Sequence, residues 1–264
     1  MRDYHKDKDR YFQMQFLTAR DHIIPFLIDS VGDINGMRVL EIGCAEAGVL
    51  KAFLDRGCSC VGIELNESRM NLAMVYHRDS IKDGSIFFLN QNIYDIDVEK
   101  DCKGGFDIVI LKDVIEHIPG QDKIMERLKT FLNPGGIIFF GFPPWQMPFG
   151  GHQQICKNRM LSNLPYFHLL PKGIYRGLLS AFGEREAVVR ELLELKDTGI
   201  SIERFERISR DLGYRILGRK HFLFNPIYQY KFNLKPRVQA GLISAIPFLR
   251  NYFTTAVYYI LAYK

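Results

Sequence analysis

Short apolar runs alternate with amphipathic, helix-like stretches along the first 142 residues of the chain. Helices are predicted between the runs, over about residues 48–56, 68–78 and 121–131. A strand–helix alternation of this kind is typical of a parallel sheet with helices on both faces. The pattern therefore predicts an α/β fold whose first five strands read RVLEI, CVGIEL, SIFFLNQNI, FDIVILKDV and IIFFGF.

The regular alternation ends at the proline- and glycine-rich stretch PPWQMPFGGHQQ. Mostly helical patterns follow up to about residue 212, and YRILGRKHFLF and TTAVYYILAY predict two more strands. These changes divide the chain into four predicted segments. They are an N-terminal helical segment 1–37, a core 38–142, a helical insertion or cap 143–200 over the C-terminal edge of the sheet, and a closing segment 201–264 with the last helix and strands.

Acidic residues end two consecutive predicted strands, with a turn of small residues between them. Glu41 ends the first strand, and Glu64 ends the second. Gly43 permits a sharp turn, while Ala45 and Gly48 permit close approach of a ligand. Ligands of open α/β sheets bind outside the carboxyl ends of the strands, where an acid after the second strand suits the two hydroxyls of a ribose.

The charge at this turn discriminates between nucleotides. A dinucleotide site has the pattern G-x-G-x-x-G and binds a pyrophosphate at a helix N-terminus. Here Ala45 stands at the middle glycine position, and Glu41 and Glu46 add negative charge that disfavours a pyrophosphate. S-adenosylmethionine, a nucleoside with a positive amino group and a sulfonium, suits the turn better than NAD.

Five motifs in order resemble those of the class I (Rossmann-like) S-adenosylmethionine-dependent methyltransferases. They are VLEIGCAEAGVL, VGIEL, LNQNIYDID, FDIVILKDVIEHIP and LNPGGIIFF, within about residues 38–142. The resemblance implies a seven-stranded, mostly parallel sheet flanked by helices, here with a helical insertion after strand 5. It also implies S-adenosylmethionine as cofactor and S-adenosylhomocysteine as product.

The resemblance assigns roles to individual residues. Glu41 and the turn after it would hold the methionine part of the cofactor, and Glu64 would bind the ribose hydroxyls. Ala45 replaces a usual glycine, and Asn92 replaces an aspartate that often contacts the adenine amino group. The residues implied to bind the cofactor are Glu41, Gly43, Cys44, Ala45, Gly48, Glu64, Leu65, Asn92, Ile93 and Lys112.

Two histidines follow strands that end at the ligand-binding rim. His117 follows the fourth strand in DVIEHIP, and His152 follows the fifth in PFGGHQQ. Methyl transfer is an in-line displacement that depends on alignment and exclusion of water, and an oxygen acceptor also needs a base. Because histidine titrates near neutrality, both are predicted catalytic residues, with flexible Gly150 and Gly151 allowing His152 to reorient over the substrate.

The same region carries a metal-like spacing. Asp113, Glu116 and His117 would share one face of a helical turn, and with His152 they would suit Mg²⁺ or a similar ion. The spacing resembles that of metal-assisted O-methyltransferases of the ubiquinone pathway and of small-RNA end methylation. Many relatives share the Glu–His pair without a metal, so no metal is assigned.

The net charge of +5 is unevenly distributed. Residues 1–150 carry 22 acidic and 17 basic side chains, residues 151–264 carry 8 and 18, and no acidic residue follows Asp211. The basic C-terminal region is therefore a candidate for peripheral contact with an anionic membrane surface. No RNA-binding module is recognisable, so nucleic acid is not a predicted partner.

Other compositional features favour the cytoplasm. The five cysteines form no C-x-x-C pair and no zinc-like spacing, which indicates free thiols in a reducing compartment. The N-terminal MRDYHKDKDR has no apolar region of a signal peptide, and the apolar tail NYFTTAVYYILAYK is too short to span a bilayer. We therefore expect a cytoplasmic protein.

Together these features predict an S-adenosylmethionine-dependent methyltransferase that acts at oxygen on a small or lipid-linked molecule. Two alternatives remain open. One is an NAD(P)-dependent oxidoreductase, which the missing middle glycine and Glu41 disfavour, and the other is a nucleoside-binding protein without transfer activity. A nitrogen or carbon acceptor also stays open, and no oligomeric state is predicted.

Overall fold

A computed structural model describes residues 7–263, so the first six residues and Lys264 lie outside the described residues. The prediction that no signal peptide is present and the predicted N-terminal helical segment rest partly on those first six residues. Eight strands form one sheet. They are β1 Arg38–Ile42, β2 Ser59–Ile63, β3 Ile86–Leu89, β4 Phe106–Lys112, β5 Leu132–Phe142, β6 Arg215–Phe224, β7 Arg237–Val238 and β8 Ala256–Ala262.

Helices cover both faces of the sheet and form most of the predicted insertion. They are α1 Lys8–Thr18, α2 Ile24–Val31, α3 Gly48–Leu54, α4 Glu67–Tyr76, α5 Arg78–Lys82, α6 Val98–Cys102, α7 Gln121–Leu128, α8 Arg159–Asn163, α9 Lys172–Ala181, α10 Glu186–Thr198, α11 Ile202–Asp211, α12 Tyr228–Phe232, α13 Gly241–Ser244 and α14 Leu249–Tyr252. A π-helical turn, Ala19–Ile23, joins α1 to α2. Short 3-10 turns occur at Ile115–His117, Lys129–Phe131, Gln153–Ile155 and Phe167–Leu169.

The strand order is β3-β2-β1-β4-β5-β8-β6-β7. Strands β1 to β5 pair in parallel, whereas β8 is antiparallel to both β5 and β6. The predicted α/β fold is confirmed, and the difference from seven strands is β7, two residues long, at the sheet edge. The winding direction reverses between β1 and β4, so a crevice opens at their carboxyl ends.

The central strands are buried on both faces, which explains their continuous apolar sequences. Along β4, Ile108 and Ile110 contribute to one hydrophobic core, whereas Val109 and Leu111 contribute to the other. The helices α2 and α3 cover the first core, and α7 and α11 cover the second. The sheet is thereby fixed between two layers, and its carboxyl edge is a rigid frame for loops.

Strand β5 begins five residues before the predicted apolar run, at Leu132. Phe106 pairs with Leu132, but Ile108 pairs with Ile137, so residues 133–136 form a bulge. The NPGG stretch therefore turns the chain inside a strand and does not precede it. Gly135 supplies the required positive φ of 80°.

The predicted insertion contains a small hydrophobic core of its own, which supports the proposal that residues 143–200 form a cap. Its two ends are joined by a hydrogen bond of 2.8 Å from the Trp145 N–H to the Ile200 carbonyl. The Thr198 hydroxyl donates to the Glu116 carbonyl at 2.7 Å. The cap is thus attached to the turn that follows β4, at the carboxyl edge of the sheet.

Within residues 7–263, no helix combines the length and apolar character that crossing a membrane requires.

Phe205 on α11 is fully buried, and its ring lies 4.8–5.0 Å from those of Phe140, Phe142 and Tyr259. We expect Phe205→Ala to lower the free energy of unfolding by about 3–5 kcal/mol, because the ring contacts are lost and a cavity remains. Urea denaturation measures the change. The exposed Phe182 is the matched control, since its replacement by Ala is expected to cost less than about 0.5 kcal/mol; equal losses would contradict this view of the core.

Candidate active site

The turn after β1 has a tightly specified backbone. The N–H groups of Gly43 and Cys44 both donate to the Ile63 carbonyl, at 2.8 and 3.0 Å. Gly43 has φ of 70°, and a Cβ there would lie 2.6 Å from a methyl group of Val114. As the sequence predicts, only glycine fits this position. Ala45 also has a positive φ, of 50°.

Glu64 links the turn to the end of β2. Its carboxylate accepts the Ala45 N–H at 2.9 Å and the Asn66 N–H at 2.7 Å. The side chain of Asn90, after β3, donates to the Glu64 carbonyl at 2.6 Å. Each carboxylate oxygen accepts more than one hydrogen bond, so Glu64 is held in place and still has acceptor capacity for a ligand.

A narrow cavity of about 60 Å³ lies between this turn, the end of β4 and α1. Six of the ten predicted cofactor residues line it: Glu41, Gly43, Cys44, Ala45, Gly48 and Lys112. Five of these residues lie at the end of β1 or shortly after it, and Lys112 ends β4. The two strands are far apart in sequence and become neighbours only in the folded sheet. The predicted grouping of the β1 turn with the end of β4 therefore matches the geometry.

Carboxylates dominate the charge of this cavity. Burial raises the pKa of Glu41 well above its usual range, the positive charge of Lys112 opposes this, and Glu64 and Asp113 raise the pKa further. The Lys112 ammonium lies 2.5 Å from the Asp113 carboxylate, so its charge is shared between two acids. Glu41 Oε2 is buried and has no hydrogen-bond partner within residues 7–263. A ligand that donates protons and carries positive charge would satisfy it.

Four predicted cofactor residues lie outside the cavity lining: Glu64, which is described above, and Leu65, Asn92 and Ile93. Leu65 is exposed at the end of β2, and the Asn92 side chain accepts the Tyr94 N–H at 3.1 Å in its own turn. Ile93 is buried in the core on the α7 face of the sheet. Their roles toward an adenine ring stay predictions.

Helix α1 forms one wall of the cavity, a role that the sequence pattern did not predict. Tyr11, Phe12 and Gln15 line the cavity from above the turn, and Arg69 of α4 completes it. A Cβ on Gly48 would lie 2.5 Å from the Phe12 carbonyl oxygen. Gly48 is therefore required by the packing of α1 on α3. Lys8 of α1 also pairs with buried Glu46 at 2.7 Å.

A second cavity of about 450 Å³ begins where the first one ends. Tyr11 and Asp113 line both cavities, so the two spaces meet at these side chains. His152 lines the larger cavity, and its contact with a substrate stays a prediction. Residues that the sequence analysis did not single out supply most of the remaining wall: Met14, Pro143, Met147, Phe149, Gln154, Ile155, Asn225, Ile227, Tyr228, Lys231 and Thr255.

His117 does not line the larger cavity but packs against His152, with ring centroids 5.0 Å apart. Partial desolvation lowers the pKa of the His117 imidazole, and the charge of Asp113 partly offsets this. His117 Nε2 lies 3.8 Å from Glu116 Oε1. Glu116 is buried, and both its carboxylate oxygens lack a hydrogen-bond partner within the described residues.

Glu116, His117 and His152 place three donor atoms within 4.8 Å of one another. Burial, together with the charge of Asp113, raises the pKa of Glu116 well above its usual range. One carboxylate and two imidazoles form a donor set that suits a divalent cation. This set is smaller than the metal-like spacing in the sequence suggests, because Asp113 does not belong to it.

The expectation that Asp113, Glu116 and His117 share a helical turn is wrong. Asp113 has φ of 56°, in the left-handed region, and only Ile115–His117 forms a short 3-10 turn. The Asp113 side chain instead pairs with Lys112 and lines both cavities.

The glycines before His152 also differ from expectation. A Cβ on Gly150 would lie 2.3 Å from the Trp145 carbonyl oxygen, and one on Gly151 would lie 2.2 Å from the His168 side chain. Close packing explains both glycines. His152 is therefore held by this packed loop.

These features match a known group of proteins. A family model described as a methyltransferase domain matches residues 14–166, more than half of the chain. The chain belongs to this methyltransferase-domain family. The matched region contains the β1 turn, the end of β4, Glu116, His117 and His152.

Curated relatives of this family member include a ubiquinone biosynthesis O-methyltransferase from Acinetobacter baylyi. The two are 27% identical over 112 residues, which cover 42% of this chain and 46% of the relative. A ubiquinone biosynthesis O-methyltransferase from Paraburkholderia phymatum is 29% identical over 116 residues, covering 43% and 47%. The chain thus spans about half the length of the curated relatives it matches.

Solved structures confirm the fold of this family member. Magnesium protoporphyrin IX methyltransferase from Synechocystis PCC 6803, crystallised with bound S-adenosylhomocysteine, superposes with a TM-score of 0.57 at 14% identity, covering 100% of this chain and 97% of that one. A possible histamine N-methyltransferase from Thermotoga maritima gives 0.54 at 12% identity, covering 99% and 97%. At these identities the likeness concerns the fold.

The donor set of Glu116, His117 and His152 makes a testable prediction. We expect metal-free protein to bind one Mn²⁺ per chain, because the ion would satisfy the two unpartnered Glu116 oxygens. Glu116→Gln should weaken this binding by at least about tenfold, whereas Glu67→Gln, at an exposed acid, should leave it unchanged. Isothermal titration calorimetry measures both. Equal affinities in the native protein and the Glu116→Gln variant would show that the set holds no ion.

Proposed function

We propose that this protein transfers a methyl group from S-adenosylmethionine to an oxygen atom of a small or lipid-linked molecule. The observation that carries the proposal is the acidic cavity at the β1–β4 crevice, in which buried Glu41 has an unpartnered oxygen and small residues form the floor. Membership of the methyltransferase-domain family and the names of the curated O-methyltransferase relatives support it.

The charge distribution suits a cationic cofactor. The amino group of the methionine part would donate to Glu41, and the sulfonium would lie near Asp113, where the two cavities meet. Glu64 would accept both ribose hydroxyls with its remaining lone pairs. Lys112 and Arg69 are cations that line the cavity and suit the cofactor carboxylate. These contacts favour cofactor binding, and because the sulfonium loses its charge in the reaction, they do not by themselves accelerate transfer.

The methyl group would pass from the narrow cavity to the larger one. In-line transfer needs the acceptor oxygen, the methyl carbon and the sulfur on one line. The shared wall at Tyr11 and Asp113 is where these three atoms would meet. Side chains of α1 and of the cap line the two cavities around this point, and exclusion of water from it would favour transfer.

His152 is the better placed of the two histidines to accept the proton of an acceptor hydroxyl, because it lines the larger cavity. His117 would support it through their ring contact of 5.0 Å. Desolvation lowers the pKa of His117 and so favours the neutral form of its imidazole. A cation held by Glu116, His117 and His152 would instead polarise the acceptor oxygen.

The two alternative functions are separable from this one. Family membership favours methyl transfer over hydride transfer by an NAD(P)-dependent oxidoreductase. A binding protein without transfer activity would keep the cofactor site and show no turnover.

All five cysteines are free and buried, which supports the proposal of a reducing, cytoplasmic location.

Cofactor binding tests the first half of the proposal. We expect native protein to bind S-adenosylhomocysteine, and Glu64→Ala to weaken binding by about 10- to 100-fold through the loss of charge-assisted hydrogen bonds. Glu67→Ala, three residues further along, is the matched control and should bind normally. Isothermal titration calorimetry gives the affinities, and circular dichroism checks that the variant keeps the secondary structure of the native protein. Binding of NADH in place of S-adenosylhomocysteine would refute the proposal.

Turnover tests the second half. With a panel of phenols and catechols as acceptors, His152→Ala should lower the rate of S-adenosylhomocysteine formation by about 10²- to 10⁴-fold, because a general base is lost. His117→Ala should have the smaller effect. Both variants should bind S-adenosylhomocysteine as the native protein does. An undiminished rate in His152→Ala would remove this residue from the mechanism.

A further inference from the structure

Exposed apolar side chains concentrate in one segment of the chain, residues 232–253, here called the apolar segment. Nine of the twenty large apolar side chains that are exposed within residues 7–263 belong to it. Single exposed apolar residues need no explanation, but a concentration of them marks an interaction site. The nine are Phe232, Leu234, Val238, Leu242, Ile246, Phe248, Leu249, Tyr252 and Phe253.

Packing within the chain does not account for the most exposed of these side chains. Leu242 is 86% exposed and Phe248 is 68% exposed, so burial on folding gains little from either. The segment contains only short elements: the last residue of α12, the strand β7 and the helices α13 and α14. Its apolar character would be of use only against something outside the chain.

The backbone at Phe248 is held in a costly conformation. Its φ and ψ are 65° and −48°, which a bulky residue rarely adopts. Glu203 stabilises this conformation, since it accepts the Phe248 N–H at 2.9 Å and also accepts from Arg250 at 2.8 Å and Asn251 at 2.6 Å. Specific hydrogen bonds thus stabilise a strained backbone conformation at Phe248, whose aromatic ring is exposed to solvent. Such a combination is typical of a functional position.

The charge of the segment identifies the kind of partner. No acidic residue follows Asp211, and the exposed Lys235 and Arg237 stand among the apolar side chains. Apolar side chains interleaved with basic ones suit the interface of an anionic bilayer. The same charge disfavours a second copy of this chain, because two such surfaces would repel each other.

The segment lies beside the larger cavity. Lys231 immediately precedes it and lines the cavity, and Thr255, two residues beyond its end, lines the cavity too. Tyr228, on the same short helix as Phe232, is a third wall residue. Both ends of the apolar segment are therefore anchored at the proposed acceptor site.

We propose that residues 232–253 seat the protein on an anionic membrane surface, so that a lipid-linked acceptor enters the larger cavity from the bilayer. Entry of the acceptor rests on the proposed function, whereas the docking itself does not. The contact is peripheral: the segment would lie in the headgroup region, with Leu242 and Phe248 as its most protruding side chains.

Co-sedimentation with vesicles tests the docking. The full-length protein is mixed at low salt with vesicles of phosphatidylcholine alone or of phosphatidylcholine with phosphatidylglycerol. We expect stronger binding to the anionic vesicles, and a drop of about tenfold or more in the Leu242→Ser/Phe248→Ser variant. Ile174→Ser, at a residue of α9 that is 55% exposed, is the matched control and should bind as the native protein does.

Three results would overturn the docking proposal. One is equal vesicle binding by the native protein and the double variant, and another is no binding of native protein to anionic vesicles. The third is a native dimer, seen by analytical ultracentrifugation, that the double substitution dissociates, because the segment would then join two copies. Titration with S-adenosylhomocysteine separates the proposals: cofactor binding without vesicle binding refutes docking alone, and vesicle binding without cofactor binding refutes the proposed function alone.

Discussion

The site depends on one electrostatic constraint, the burial of Glu41 at the carboxyl end of β1. A buried carboxylate needs a positive partner or a proton, and Lys112 supplies only part of the compensation because it is paired with Asp113. The cavity therefore has a preference for cations before any ligand enters. A sulfonium-bearing nucleoside meets that preference, whereas a pyrophosphate would oppose it.

The second organising feature is the junction of the two cavities at Tyr11 and Asp113. Asp113 adopts its left-handed conformation directly after β4, at the switch point of the sheet. It therefore faces the cofactor side and the acceptor side together. The short 3-10 turn that follows places Glu116 and His117 close to His152. The cap maintains this arrangement, because the Thr198 hydroxyl binds the Glu116 carbonyl.

Much of the frame was predictable, for local reasons. The continuous apolar run of β4 and the small-residue turn after Glu41 each depend on residues that are neighbours in the sequence, and seven of the eight strands follow from such patterns. The eighth, Arg237–Val238, is too short to carry a pattern. The Asp113–His117 spacing misled because its helical interpretation assumes regular φ angles, and a single left-handed residue breaks that assumption. Ile93 is buried in the core on the α7 face of the sheet, and its predicted place beside the adenine ring stays a prediction.

The sequence by itself determined the fold class, the acidic strand tips and the two histidines, because periodicity and strand order constrain them locally. Only the tertiary structure decided which distant residues complete the site. Tyr11 of α1 and Tyr228 of α12 line one cavity although more than 200 residues separate them. Such contacts depend on how helices pack across the sheet edge, and this packing is set by shape and burial over the whole molecule, for which no short stretch of sequence carries a signature.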